Sequence, residues 1–184
     1  MPSTSISAFC DLVRSRSQEH GEAMKRLEGL PGQQFGILRQ ELDSMIRVIY
    51  LLRLDLPDRE AVAKGVLAGQ GFCYANGRRI TDRDMLVITE RLHGWSRNVY
   101  TFGCAFIHLS SLHAYASVDP LDQLTSDERR TIADHINYYH GACLTERSHF
   151  ADLVPFLPRV LAKITGNLSR YLENLDAGDS IDNP

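Results

Sequence analysis

Residues 35 to 56 read FGILRQELDSMIRVIYLLRLDL. Phe35, Leu38, Leu42, Met45, Ile49, Leu52 and Leu56 follow one another by threes and fours, with Ile46 alongside. That spacing puts an apolar residue on the same side of an α-helix at every turn, and it fits no β-strand, whose faces alternate with period two. An unbroken stripe of about five turns predicts a core helix packed along its length at a shallow angle, as in helical bundles. The opposite face carries Arg39, Asp43, Arg47 and Arg53. Spacings of four from Arg39 to Asp43 and from Asp43 to Arg47 allow ion pairs along the helix, and a solvated charged face is the expectation.

Before this stretch, Ser5 to Gly29 has Ile6, Phe9, Leu12 and Val13 at one end and Met24 and Leu27 at the other. This predicts a helix with a wet centre, ended by Leu30-Pro31-Gly32. After it, Asp55-Leu56-Pro57-Asp58 breaks the chain, and a short helix capped by or beginning at Asp58 follows. The segment GQGFCYANGRRITD is rich in glycine and contains Asn76-Gly77. It reads as an ordered loop, with two short strands around the Asn-Gly turn as the alternative.

Thr81 with Asp84 three residues on resembles a capping box and starts a helix near Asp82. Met85, Ile88, Leu92, Trp95, Val99, Phe102, Phe106 and Leu109 again step by threes and fours. One helix through all of them would be about 45 Å long, so Gly94 is the expected break, between helices over Asp82 to His93 and Trp95 to His113. Val118-Asp119-Pro120 is a turn. Thr125-Ser126-Asp127-Glu128 starts a helix with acidic residues at its positive end, and Gly141 stops it. Pro155 and Pro158 bracket the entry to a last helix, whose stripe runs from Leu157 through Leu161, Ile164, Leu168 and Leu172 to Leu175. The fold class is therefore all-α: an antiparallel helical bundle of five to six helices, one domain over residues 1–176, with a disordered acidic C-terminal tail over 177–184.

A chain of 184 residues, 43% hydrophobic and 23% charged, suits one domain with a sizeable core. The net charge of −3 gives no global basic field toward nucleic acid or an anionic membrane. Three lysines, Lys25, Lys64 and Lys163, stand among 20 basic residues, so local charge is mostly guanidinium. Cys10, Cys73, Cys104 and Cys143 are widely spaced and form no CxxC pair. They read as reduced thiols packed like small hydrophobes. The N-terminal MPSTSISAFCDLV has no basic region or uninterrupted apolar core, no stretch suits a bilayer, and the expected location is cytoplasmic.

No phosphate-binding glycine loop, GxSxG or HExxH occurs. Chemistry is concentrated in YTFGCAFIHLSSLHAY, Tyr100 to Tyr115, where histidines, hydroxyls and a cysteine interrupt an apolar, apparently helical run. Buried polar groups need partners, so this stretch holds a site, a subunit contact or an internal network. Arg97, Thr101, Cys104 and His108 share one face of the expected helix, and Ser110, Ser111, His113 and Tyr115 follow where it ends. A histidine among hydroxyls at a helix terminus suits a general base or a phosphate anchor, and equally a polar dimer seam. His108 with His113, and His135 with His140, are each five apart, which puts the rings on different faces, so neither pair is a chelate. Only an assembly across helices, such as His108, His140 and His149 with Asp134 or Glu90, would hold a metal. Tyr115, Tyr138 and Tyr139 suit stacking on unpaired bases or burial in the core.

The order of parts, with FGILRQELDSMIRVIYLL as second helix and YTFGCAFIHLSSLH later, resembles the HEPN superfamily over roughly residues 33 to 175. The resemblance implies a compact, usually dimeric α-helical domain, often a metal-independent ribonuclease of toxin-antitoxin, phage-defence or RNA-processing systems. Active members carry an arginine, four to six residues, then a histidine, meeting across the dimer. On that pattern His108 is the histidine, but the nearest arginine upstream is Arg97, about 16 Å away along a straight helix. Literal matches are Arg130 or Arg129 with His135, and Arg14 with His20; Arg130 and His135 are favoured.

The expected function is accordingly RNA-directed: a metal-independent ribonuclease, or a degenerate relative that binds RNA or a partner such as an antitoxin. Arg97 or Arg130 would stabilise phosphate charge and His108 or His135 would move the 2′-hydroxyl proton, with no cofactor or metal. Ser110, Ser111, His113, Tyr115, Tyr139 and His140 would contact substrate. The alternatives are a non-catalytic interaction or dimerisation module and a metal-dependent helical-bundle enzyme.

Overall fold

The computed structural model describes residues 4–74, 76–108 and 110–181. Leu109 and the Ile88 side chain, both expected in an apolar stripe, lie outside the described residues, as do residues 182–184 of the tail. No strand forms among the described residues; a lone bridge joins Cys73 to Arg79. The all-α class holds, and the described residues form seven helices of eleven residues or more: α1 (Thr4–Arg26), α2 (Pro31–Leu52), α3 (Leu56–Leu67), α4 (Asp82–Leu92), α5 (Ser96–Ile107), α6 (Ser126–His140) and α7 (Leu157–Ala177). No helix of the described chain is long and apolar enough to cross a membrane.

Local signals set most boundaries. Thr81 and Asp84 form a reciprocal capping box at α4, as Thr125 and Glu128 do at α6, each pair satisfying amides left free by the first turn. Gly141 ends α6 in the left-handed conformation, φ +65°. At α3 the cap is Asp55, whose carboxylate accepts the Asp58 N–H, so the helix starts earlier than expected, with Asp58 inside its first turn. Leu56, read as the end of the α2 stripe, belongs to this new helix and is 61% exposed.

Helix α2 is the hub, packed on by α1, α3, α4, α5 and α7. Leu38, Leu42, Met45 and Ile49 are buried as expected, but so are Arg39 and Glu41. The charged face is thus not solvated. The close approach of α4 and α5 covers it, and Asp82 at the start of α4 brings the countercharge. Asp82 accepts from Arg39 Nη2 and Arg47 Nη2, both at 2.8 Å, while Arg47 also grips Asp43 with two hydrogen bonds of 2.8 and 2.9 Å. Arg39 further lies 4.0 Å from the Tyr100 ring centroid and donates from Nε to Cys104 Sγ at 3.3 Å.

The centre of α1 is wet as expected, with Ser15, Arg16, Gln18 and Glu19 exposed, but one polar residue just beyond it is not. His20 and Glu41 are both buried and meet at 2.7 Å, and Thr165 Oγ1 donates to Glu41 at 2.8 Å. At the far end, the Arg59 guanidinium donates to the carbonyls of Leu52, Leu54 and Asp179, and Ile181 N–H reaches Leu52 O at 3.1 Å. Residues 178–181, expected to be disordered, are therefore held against the end of α2. The four cysteines are unpaired, and burial pushes the Cys10 thiol up to about 12.

Candidate functional site

The expected helix from Trp95 to His113 stops at Ile107. His108 is extended, Ser110 Oγ donates back to Ala105 O at 2.8 Å, and a short 3-10 turn follows over Ser111–Ala114. The reversal has an apolar cause. It lets Tyr115 return onto Phe106 and Phe150, with ring centroids 6.0 and 5.8 Å away, in the cluster where Phe35 also stacks on Phe102 and Phe106. Gly32 makes room, since a Cβ there would lie 3.2 Å from the Tyr115 ring.

Most polar residues of this stretch are consumed by the turn. His113 Nε2 donates to Phe106 O at 3.2 Å and its Nδ1 accepts Ser110 N–H at 3.3 Å, while Ser111 Oγ donates to Gln123 Oε1 at 2.9 Å. Cys104 faces Arg39 rather than sharing an open face with Arg97. Arg97 is clasped by Glu90, whose carboxyl is held below its ordinary value by that contact. Arg130 is exposed and lies 3.8 Å from Asp127. His108 is exposed, and its ring has no hydrogen-bond partner among the described residues.

His135 and His140 do converge, with Tyr139, on a cleft between α5, α6 and α7 of about 80 Å³. Its floor is buried and apolar: Phe35, Leu38, Phe102, Leu153 and Leu157. Ile132 and Ile136 of α6 cover it, and Trp95, at the start of α5, closes one end. At the half-exposed rim, Asn98 Nδ2 donates to His135 Nδ1 at 3.2 Å, and Lys163 Nζ sits 3.8 Å from the Tyr139 ring centroid. Burial pushes the pKa of both His135 and His140 down; at His140, Lys163 and Arg159 push the same way, whereas Asp134 opposes at His135. Both imidazoles are therefore biased toward the neutral form.

Neither Arg97, Arg130 nor His108 lines this cleft. Of the residues proposed for metal binding, His149 pairs with Asp119 at 3.0 Å and Glu90 with Arg97. Among the described residues no three His, Cys, Asp or Glu side chains gather as a cation site. Sequence reasoning passed over Asn98, Trp95 and Lys163. For Lys163 a signal exists: it falls three residues after Val160, which also lines the cleft, on neighbouring turns of α7.

The chain matches no protein-family model, and no curated protein or solved structure matches it significantly.

Proposed function

We propose that this chain is a HEPN-like, homodimeric cytoplasmic binding module that recognises a protein partner, such as an antitoxin, and does not cut RNA on its own. The supporting observation is the separation of the groups a nuclease would need. Transphosphorylation requires a guanidinium and an imidazole around one phosphate. Here Arg97 is neutralised by Glu90, and His135 sits in an apolar cleft that no arginine lines. The surface available for contact includes Ile107, 50% exposed beside His108, and Tyr138, 82% exposed on α6.

A second reading, a metal-independent ribonuclease completed across a two-fold axis, draws on the exposure of His108 and Arg130. One experiment separates them: light scattering of the purified chain and its Ile107→Glu and Tyr138→Glu variants, with incubation on structured and single-stranded RNA. The first reading expects a dimer that these variants dissociate, and intact RNA. RNA degradation that disappears in His108→Ala replaces it with the second.

A further inference from the structure

The cleft beneath α6 combines an apolar interior with one cation, and this combination selects a ligand whatever the outer surface binds. Lys163 Nζ lies over Tyr139 and 6.0 Å from the Trp95 ring centroid, so its contacts are ring faces. Among the described residues no Asp or Glu lines the cleft. Another positive charge acts on its rim: Arg159, whose guanidinium donates to His140 O at 3.2 Å and adds to burial and Lys163 in lowering the pKa of His140. The carboxylate of Asp134, exposed to solvent, acts on His135 from outside. An ammonium held at the edge of an apolar hollow without an acid partner is short of an anion.

We infer that the cleft binds a small hydrophobic carboxylate, its chain on the Phe102 and Leu157 floor and its carboxylate on Lys163 Nζ at the rim. A phosphate is a poorer fit because no arginine fork lines the site. Size limits the chain. An apolar cavity of about 150 Å³ takes the six carbons of benzene, so a hollow of about 80 Å³ encloses about three carbons, and a straight chain of about four to six leaves its outer carbons and head in the open mouth. Asn98 holds His135 through Nδ1, which leaves Nε2–H as the proton of the neutral ring and a second rim donor.

Trp95, the one tryptophan of the chain, lines the cleft and reports occupancy by its fluorescence. The test titrates the full chain with hexanoate, 1-hexanol and hexylamine. Hexanoate is expected to saturate the signal about tenfold more tightly than hexanol, the worth of one charge-assisted hydrogen bond, and hexylamine to give no saturation. Lys163→Gln, with an unchanged circular dichroism spectrum, brings hexanoate down to the level of hexanol and leaves hexanol unmoved. Ile136→Phe, which fills the hollow, abolishes both. Equal binding of all three probes, unchanged hexanoate binding in Lys163→Gln, or no saturable response to hexanoate overturns the assignment.

Discussion

Gly103 lies directly against Arg39: a Cβ at residue 103 would stand 2.4 Å from the Arg39 Cβ and 3.3 Å from its Cα. No side chain separates α5 from α2 at this crossing, which brings Cys104 and Tyr100 onto the Arg39 guanidinium. Alanine favours helices by about 1 kcal/mol over glycine, yet here its methyl group meets backbone and must push the helices apart. Gly103→Ala is expected to destabilise the fold by about 1–3 kcal/mol. Urea denaturation checks it, and a variant as stable as the parent would mean that the helices separate freely.

Asp82 joins two guanidiniums that belong to one face of α2. Removing it as Asp82→Ala leaves Arg39, which is 6% exposed, sharing Asp43 with Arg47. The expected loss is about 2 kcal/mol, below that of a fully buried pair because the Asp82 side chain is 35% exposed. A double-mutant cycle with Arg47→Ala should return a coupling energy of about 1 kcal/mol. Strict additivity would deny the link.

Glu41 makes stability depend on pH. Burial pushes its carboxyl up, but hydrogen bonds from His20, Ser17 and Thr165 outweigh burial and hold it below the ordinary value of 4.5. A carboxylate with a lowered folded pKa contributes stability fully present above its unfolded value and lost as the pH falls through the folded one. The denaturation midpoint should therefore hold from about pH 7 to 5 and drop below about pH 4.5. Glu41→Ala should cost about 3 kcal/mol at neutral pH, because it strands the buried His20 and the half-buried Ser17 and Thr165, and should flatten that acid limb. An acid limb as steep in the variant as in the parent would assign the dependence elsewhere.

Arg59 ties the chain end to α2 through three carbonyls, with Nη1 2.7 Å from Asp179 O. Arg59→Met should release residues 178–181 and speed amide exchange at Ile181, whose N–H bonds Leu52 O, by about tenfold or more. Arg59→Lys should not restore protection, since one ammonium cannot reproduce the guanidinium fork. Protection unchanged in Arg59→Met would show that the segment holds itself.

Much of the architecture was readable from short-range signals. The α2 stripe, the Thr81–Asp84 and Thr125–Glu128 boxes and the Gly94 and Gly141 breaks each involve residues within a turn or two of one another. The candidate site was half readable: His135, Tyr139 and His140 reach the cleft, while Asn98 and Lys163 enter it from other helices. His108, Arg97 and Arg130 could not be placed from spacing, because whether a polar side chain faces a cleft or an acid depends on what packs across it.

The amino-acid order alone determined that this chain is helical and which side of each helix is apolar, because propensity, capping and periodicity act between near neighbours. Only the tertiary structure decided which charges are buried. Arg39 meets Asp82 from 43 residues on and Glu41 meets Thr165 from 124 residues on. A hub helix wrapped on every side gives its polar residues partners from distant turns, and that desolvation leaves no periodic trace in the sequence.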